Sequence, residues 1–106
     1  MPKYLLQASY TAEGARGLLK EGGSKRRAAV DKALKALGAT VECFYYSLGE
    51  HDVYLIIDAP NNVTVAAISL AINASGTVKG RTTVLLTPEE IDKATKKTVD
   101  YRPPGK

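Results

Sequence analysis

The sequence predicts an α+β domain with the element order βαββαβ, followed by a terminal helix. Three observations support this: four short β-rich runs, helical spacing of apolar residues in two of the intervals between them, and glycine or proline at the boundaries. A chain of 106 residues has room for one domain with one hydrophobic core. Its 44% hydrophobic and 25% charged residues are normal for a folded globular protein.

The first strand is predicted over residues 3–10, where successive side chains would point alternately to the two faces of a sheet. The next stretch, residues 11–20, carries two glycines and is therefore predicted to form only one or two irregular helical turns. Ser24 is predicted to cap a firmer helix, whose apolar residues recur at helical spacing until Gly38 ends it.

The middle of the chain predicts a hairpin and a buried helix. Two β-rich runs, residues 40–48 and 52–58, are separated by the turn Gly49-Glu50-His51, which is typical of a hairpin. Residues 63–75 are rich in alanine and isoleucine and apolar on most sides, so this helix is predicted to be heavily buried.

The last elements are a strand and a short helix. Residues 78–86 predict the fourth strand, and the segment TPEE at 87–90 is a helix start with a threonine N-cap and the glutamate of a capping box. This helix is predicted to end near Lys97. The domain is accordingly expected to occupy residues 1–98, with residues 99–106 as a C-terminal tail.

The order βαββαβ is the pattern of a ferredoxin-like domain. Right-handed crossovers place the first and third strands in the centre of the sheet and both main helices on one face. By simple alternation, the helix-side face is almost wholly apolar, as a core face should be. Its predicted members are Leu6, Ala8, Val41, Cys43, Val53, Leu55, Ile57, Val84 and Leu86.

The opposite sheet face is mixed in polarity, although a face exposed to water should be polar. Its predicted members are Leu5, Gln7, Ser9, Phe44, Tyr46, Tyr54, Ile56, Arg81, Thr83 and Leu85. A mixed patch on so small a chain usually contacts a partner. This face therefore predicts a homodimer, or a larger even oligomer, packed sheet to sheet.

Composition argues against several classes of protein. The net charge of +4 comes from two cation-rich runs that are broken by acids and nearly free of aromatic residues, which favours a solvated surface over nucleic-acid binding. No stretch approaches the ~20 apolar residues of a membrane span, and no leader pattern precedes the first strand, so a cytoplasmic protein is expected. Because the chain has only one cysteine and one histidine, no disulfide and no metal site is predicted. No cofactor is predicted either.

Five segments of the chain, spread from residue 1 to about residue 91, resemble the GYD-domain family. They are PKYLLQASYT, GLLKEGGSKRRAAV, LGATVECFYYSLGEHDVYLIID, LAINASG and TTVLLTPEEI. Gly49 and Asp52 of the family's Gly, Tyr, Asp signature are in place, and His51 occupies the tyrosine position. The resemblance implies a dimeric α+β barrel, a fold shared with small monooxygenases, isomerases and ligand-binding regulatory domains. It implies no particular reaction, because such a fold hosts several activities.

Polar side chains are predicted to converge at one edge of the sheet, where the first strand ends and the third and fourth strands begin. The second main helix ends at the same edge. Polar groups beside an apolar cavity are typical of a small-molecule site. The predicted ligand-binding residues are Tyr10, His51, Asp52, Asn73 and Arg81, with Lys79 beside them. The alternative is that these residues serve only as turn and cap residues.

His51 and Asp52 are the candidate catalytic residues. His51 is the only histidine, the residue type that most often transfers protons in enzymes. Alternation directs Asp52 to the other face, where it is expected to accept backbone N–H bonds at the hairpin entry. Cys43, the only thiol, is predicted to be an inert core residue.

Three functions are consistent with these residues. The first is a homo-oligomeric protein that binds a small organic molecule in a pocket between sheet and helices. The second is a cofactor-independent monooxygenase or isomerase, with His51 and Asp52 as acid–base groups. The third is a structural subunit whose only role is assembly. An enclosed cavity lined by polar groups would favour the first two functions, and a filled core would favour the third.

Overall fold

The four strands form one antiparallel sheet with the order β2-β3-β1-β4. In this computed structural model, which describes all 106 residues, β1 (Lys3–Tyr10) pairs with β3 (Val53–Asp58) on one side and β4 (Val78–Leu85) on the other. The outer strand β2 (Thr40–Tyr46) pairs with β3. The predicted α+β, ferredoxin-like arrangement, with the first and third strands in the centre, is confirmed.

The connections between strands are helical. α1 (Ala12–Glu21) and α2 (Gly23–Lys35) link β1 to β2, α3 (Asn62–Ala74) links β3 to β4, and α4 (Pro88–Thr95) follows β4. None of these helices combines the length and the apolar character needed to cross a lipid bilayer.

The segment after β1 is more regular than its glycines predict. Residues 12–21 form a continuous helix rather than irregular turns, and Thr11 caps it by accepting a hydrogen bond from the Gly14 N–H at 3.2 Å. Close packing explains the glycine at this position, because a Cβ there would lie 1.9 Å from the carbonyl oxygen of Thr77. Tertiary packing therefore outweighs the low helix propensity of glycine.

The helix starts differ in how well the sequence predicts them. The prediction that Ser24 caps α2 is wrong, because α2 begins at Gly23 and the left-handed Gly22 (φ 89°) turns the chain directly from α1 into α2. The capping box of α4 is confirmed. The Thr87 N–H donates to Glu90 Oε1 at 2.9 Å, and the Glu90 N–H donates to Thr87 Oγ1 at 3.1 Å.

A β-bulge in β2 moves the second half of this strand to the face opposite to the one that alternation predicts. The register shifts by one residue after Val41. Phe44 therefore pairs with the buried Leu55, and Phe44 and Tyr46 lie on the helix side. Cys43 lies on the open sheet face. The assignments of these three side chains by simple alternation are therefore wrong, since a shift of one residue exchanges the faces.

The hydrophobic core is concentrated at one end of the space between sheet and helices. Tyr4 is fully buried there, in one cluster with Leu34 of α2 and Ile68 of α3. No residue after Ile68 is buried, so Val84 and Leu86 do not belong to the core as predicted but are 53% and 60% exposed. The other end of the same space is less completely filled.

The C-terminal part of the chain extends away from the sheet. α4 buries none of its residues, and Val99 and Tyr101 after it are exposed. The protein measures 57 × 32 × 23 Å and its radius of gyration is 17.0 Å. A compact domain of this length would have a radius of gyration of about 13 Å. This segment therefore stabilises little of the fold within a single copy of the chain.

Candidate functional site

A cavity of about 400 Å³ lies between the sheet and the helices, at the end that the core leaves unfilled. Its walls come from α1, α2, α3 and all four strands, and they are mainly apolar. Small residues create the space, with Ala8 on β1, Gly17 on α1, Ala71 on α3 and Gly80 on β4 all in its lining. Larger side chains at these positions would fill the volume, as in an ordinary close-packed core.

Two pairs of polar groups in the cavity wall are bonded to each other. The hydroxyls of Ser69 and Thr82 are 3.3 Å apart and form a hydrogen bond across the space between α3 and β4. The Arg26 guanidinium lies 3.6 Å from the Glu21 carboxylate. Because these groups already pair with each other, the interior is suited to a ligand that is mostly apolar.

Tyr10 lines the cavity at the end of β1 and is half-buried. Burial, together with the neighbouring phenol of Tyr46, raises the pKa of Tyr10 to about 12. The Tyr46 hydroxyl itself donates a hydrogen bond to the Gly23 carbonyl at 3.0 Å. Tyr10 therefore keeps its proton at neutral pH and provides a hydroxyl group at the cavity wall.

We expect the phenol of Tyr10 to titrate near pH 12 instead of near pH 10. Because the folded-state pKa is raised, the neutral phenol favours the folded protein below pH 10, and this contribution is lost as the pH rises through 12. NMR of tyrosine-labelled protein measures the titration, and Tyr10→Phe assigns the signal. A Tyr10 signal that titrates near pH 10 in the folded protein would contradict this environment.

Asp52 connects the start of β3 to the end of β1. Its Oδ2 accepts a hydrogen bond from the Tyr10 N–H at 2.8 Å, and its own N–H donates to the Ala8 carbonyl at 2.9 Å. These two bonds extend the pairing of the two strands beyond the last ladder pair, Ala8 and Val53. The carboxylate thus holds the backbone of Tyr10 at the cavity wall.

His51 lies in a separate, open polar cleft at the same edge of the sheet. The residues that line this cleft are Ser9, His51, Asn73, Lys79, Gly80 and Arg81. His51 Nδ1 is 3.5 Å from Ser9 Oγ, and the ring contacts Tyr54 edge-on with 5.8 Å between the ring centroids. The carboxylate of Asp52 bonds to Tyr10 instead of to the imidazole, so the two candidate catalytic residues do not form a pair.

Apart from Asp52, which lines neither space, the sequence-predicted site residues lie along two adjoining spaces. Tyr10 lines the cavity, His51 and Lys79 line the cleft, and Asn73 and Arg81 line both. Asn73 Oδ1 accepts a hydrogen bond at 2.9 Å from the N–H of Gly80 in the edge strand β4. The asparagine therefore holds the end of α3 against this strand.

Sequence reasoning missed the wall that α1 and the start of α2 contribute to the cavity. Gly14, Gly17 and Arg26 all belong to this wall. The two glycines were the available signal, because a spacing of three residues places them on the same face of a helix. Interpreting the glycines as helix breakers concealed that signal.

The antiparallel sheet, its covering helices and the cavity between them define an α+β protein with a cavity of a size suited to a small molecule. This chain belongs to the GYD-domain family, because the family model matches residues 4–95 of its 106 residues. No curated protein and no solved structure matches the chain. The family match covers all four strands apart from Lys3, so both the cavity and the cleft lie within the GYD domain.

Proposed function

We propose that this GYD-domain protein binds a small, mostly apolar organic molecule in the cavity between its sheet and its helices. The observation that supports the proposal is a mainly apolar cavity of about 400 Å³ beside a well-packed core. Apolar wall that is not packed against other side chains forgoes the stabilisation of about 25 cal/mol per Å² that burial would give. A purely structural subunit would gain stability from larger side chains at this place, so the space favours a binding role.

The volume limits the size of the ligand. Small-molecule sites range from about 300 to 1,000 Å³, and a cavity of about 400 Å³ belongs to the lower part of that range. A compact aromatic ring system or an alkyl chain of medium length fits such a space. The Tyr10 hydroxyl in the wall can orient such a ligand through a hydrogen bond.

Phenylnaphthylamine, a neutral dye whose fluorescence rises in apolar surroundings, tests this proposal. We expect saturable binding to the native protein, with loss of at least about tenfold in affinity for Ala8→Phe, because the added ring occupies apolar volume that the dye needs. Ala8 is 8% exposed and lines the cavity from the central strand β1. Fluorescence titration gives the dissociation constants, and circular dichroism verifies that the variant is folded.

The matched control is Ala33→Phe. Ala33 is exposed on α2 and does not line the cavity, so the same substitution there should leave the affinity for the dye unchanged. Equal binding by the two variants would place the dye outside the cavity. Absence of saturable binding to the native protein would contradict the proposed function itself.

We further propose that the protein assembles as a homodimer through its open sheet face. Tyr45 and Tyr54 form a cross-strand pair there, and Tyr45 is 69% exposed. Leu5 lies opposite Ile56 on the same face. Such an apolar patch usually contacts a partner.

A further inference from the structure

The open sheet face, which points away from the helices, is positive at one corner. Arg81 pairs with Gln7 of β1, whose two neighbours are buried on the helix side, so the Arg81 side chain lies on the open face. Lys79 lies two residues away on β4 and therefore points to the same face. Neither cation forms an ion pair within the chain. Two positive charges thus remain unpaired at this corner.

The diagonally opposite corner of the same face is negative. There the Lys3 ammonium donates hydrogen bonds to the carboxylates of Glu42 on β2 and Asp58 on β3. These bonds, the one to Glu42 first, raise the pKa of Lys3, so its ammonium stays charged. One ammonium is shared by two carboxylates, and the corner therefore keeps a net negative charge. Glu42 is exposed, so its carboxylate is accessible to a partner.

Uncharged side chains separate the two corners. They follow the other diagonal of the face, which runs from Tyr45 on β2 through Tyr54 and Leu5 to Thr83 on β4. In a two-fold dimer, residues on the axis contact their own copies, and residues on one side of the axis contact those on the other side. This diagonal is suited to a symmetry axis, because it has unlike charges on its two sides.

We propose that the dimer packs sheet to sheet around a two-fold axis along this uncharged diagonal. In this arrangement the cations Lys79 and Arg81 of each copy lie against the acidic residues Glu42 and Asp58 of the other. This inference rests on the proposed homodimer and specifies its geometry. Because the axis runs obliquely to the strands, the strands of the two sheets cross at a large angle, close to the right angle of orthogonal sheet packing.

The charges disfavour the other placements of a two-fold axis on this face. An axis parallel to the strands would set the cations of β4 against the Tyr45 end of the partner's β2, which is uncharged. An axis across the strands would set β4 against β4, so that the cations meet the uncharged Thr83 and Leu85. An axis along the charged diagonal would set the cations of the two copies against each other, which is repulsive. Only the proposed axis brings unlike charges together, and such complementarity fixes the register of an interface.

Exchanging one pair of opposite charges tests the proposed axis. Lys79→Glu should raise the dimer dissociation constant at least about tenfold, because it sets carboxylates against each other at two symmetric contacts. Combining Lys79→Glu with Glu42→Lys should return the constant to within about threefold of the native value, because opposite charges then face each other again. Sedimentation velocity at low ionic strength measures the constants, since salt screens exposed charges. Circular dichroism verifies that each variant is folded.

Lys25→Glu is the charge-matched control, because Lys25 is exposed on α2, on the other side of the sheet, and forms no ion pair. It should leave the dissociation constant unchanged. An equal effect of Lys25→Glu would assign the loss to net charge and overturn this inference. A Lys79→Glu dimer as tight as the native one, or a double variant as weak as Lys79→Glu, would also overturn it and leave the homodimer standing. A native protein that is monomeric at all concentrations would overturn the proposed homodimer and this inference together.

Discussion

Gly14→Ala should lower the free energy of unfolding by about 3 kcal/mol, although alanine is the better helix former. The new Cβ would lie 1.9 Å from the carbonyl oxygen of Thr77 and 2.9 Å from its carbonyl carbon. These are backbone atoms and cannot rotate away. α1 must therefore move, which breaks the hydrogen bonds that Thr11 donates to the carbonyls of Thr77 at 3.0 Å and of Gly76 at 2.9 Å.

Urea denaturation followed by far-UV circular dichroism measures this loss, and Gly17→Ala is its matched control. Both glycines lie in α1 and line the cavity, but a Cβ at position 17 meets no atom within 4 Å. Gly17→Ala should therefore stabilise the protein by up to about 1 kcal/mol through helix propensity alone. A Gly14→Ala protein as stable as the native one would show that α1 does not pack against Thr77 as described.

Tyr54→Asp should convert the proposed dimer into monomers. Tyr54 is half-buried in the central strand β3, on the open face, opposite Gln7 on one side and Tyr45 on the other. In a sheet-to-sheet interface an aspartate at this position would be a buried charge without a partner, which costs about 3–5 kcal/mol. The dimer dissociation constant should accordingly rise by at least about a hundredfold.

Sedimentation velocity over a range of protein concentrations measures the assembly. Tyr54→Phe should remain dimeric, because it keeps the apolar ring without adding a charge. Leu70→Asp places the same charge on the outer surface of α3, where Leu70 is 71% exposed, and should also remain dimeric. A native protein that sediments as a folded monomer at all concentrations would refute the proposed interface. Dissociation by Leu70→Asp alone would assign the interface to the helices.

The sequence indicated the residues of the site better than their arrangement. Tyr10, His51 and Arg81 do lie at one edge of the sheet, because strand ends and strand starts in an antiparallel sheet meet there. Which residue lines the cavity and which lines the cleft depends on the direction of each side chain. The direction of Asp52 is fixed because its carboxylate accepts a hydrogen bond from the backbone N–H of Tyr10.

Elements whose stability comes from neighbouring residues could be determined from the sequence alone. The capping box at Thr87 and Glu90 is of this kind, since its hydrogen bonds span three residues. β1 could be predicted for another reason: its alternation is visible in eight consecutive residues, although its hydrogen bonds join it to the distant strands β3 and β4. The βαββαβ order followed from such local signals, and with it the central position of β1 and β3.

Features that depend on distant segments were decided only by the tertiary structure. The bulge after Val41 arises from the pairing of β2 with β3, and it exchanges the faces of Cys43 and Phe44. α1 is regular because Gly14 packs against Thr77, more than sixty residues away. The cavity is likewise formed by small residues on separate elements, so no single stretch of sequence encodes its volume. Packing of this kind becomes defined only when the elements meet, because the space left unfilled depends on all the facing side chains together.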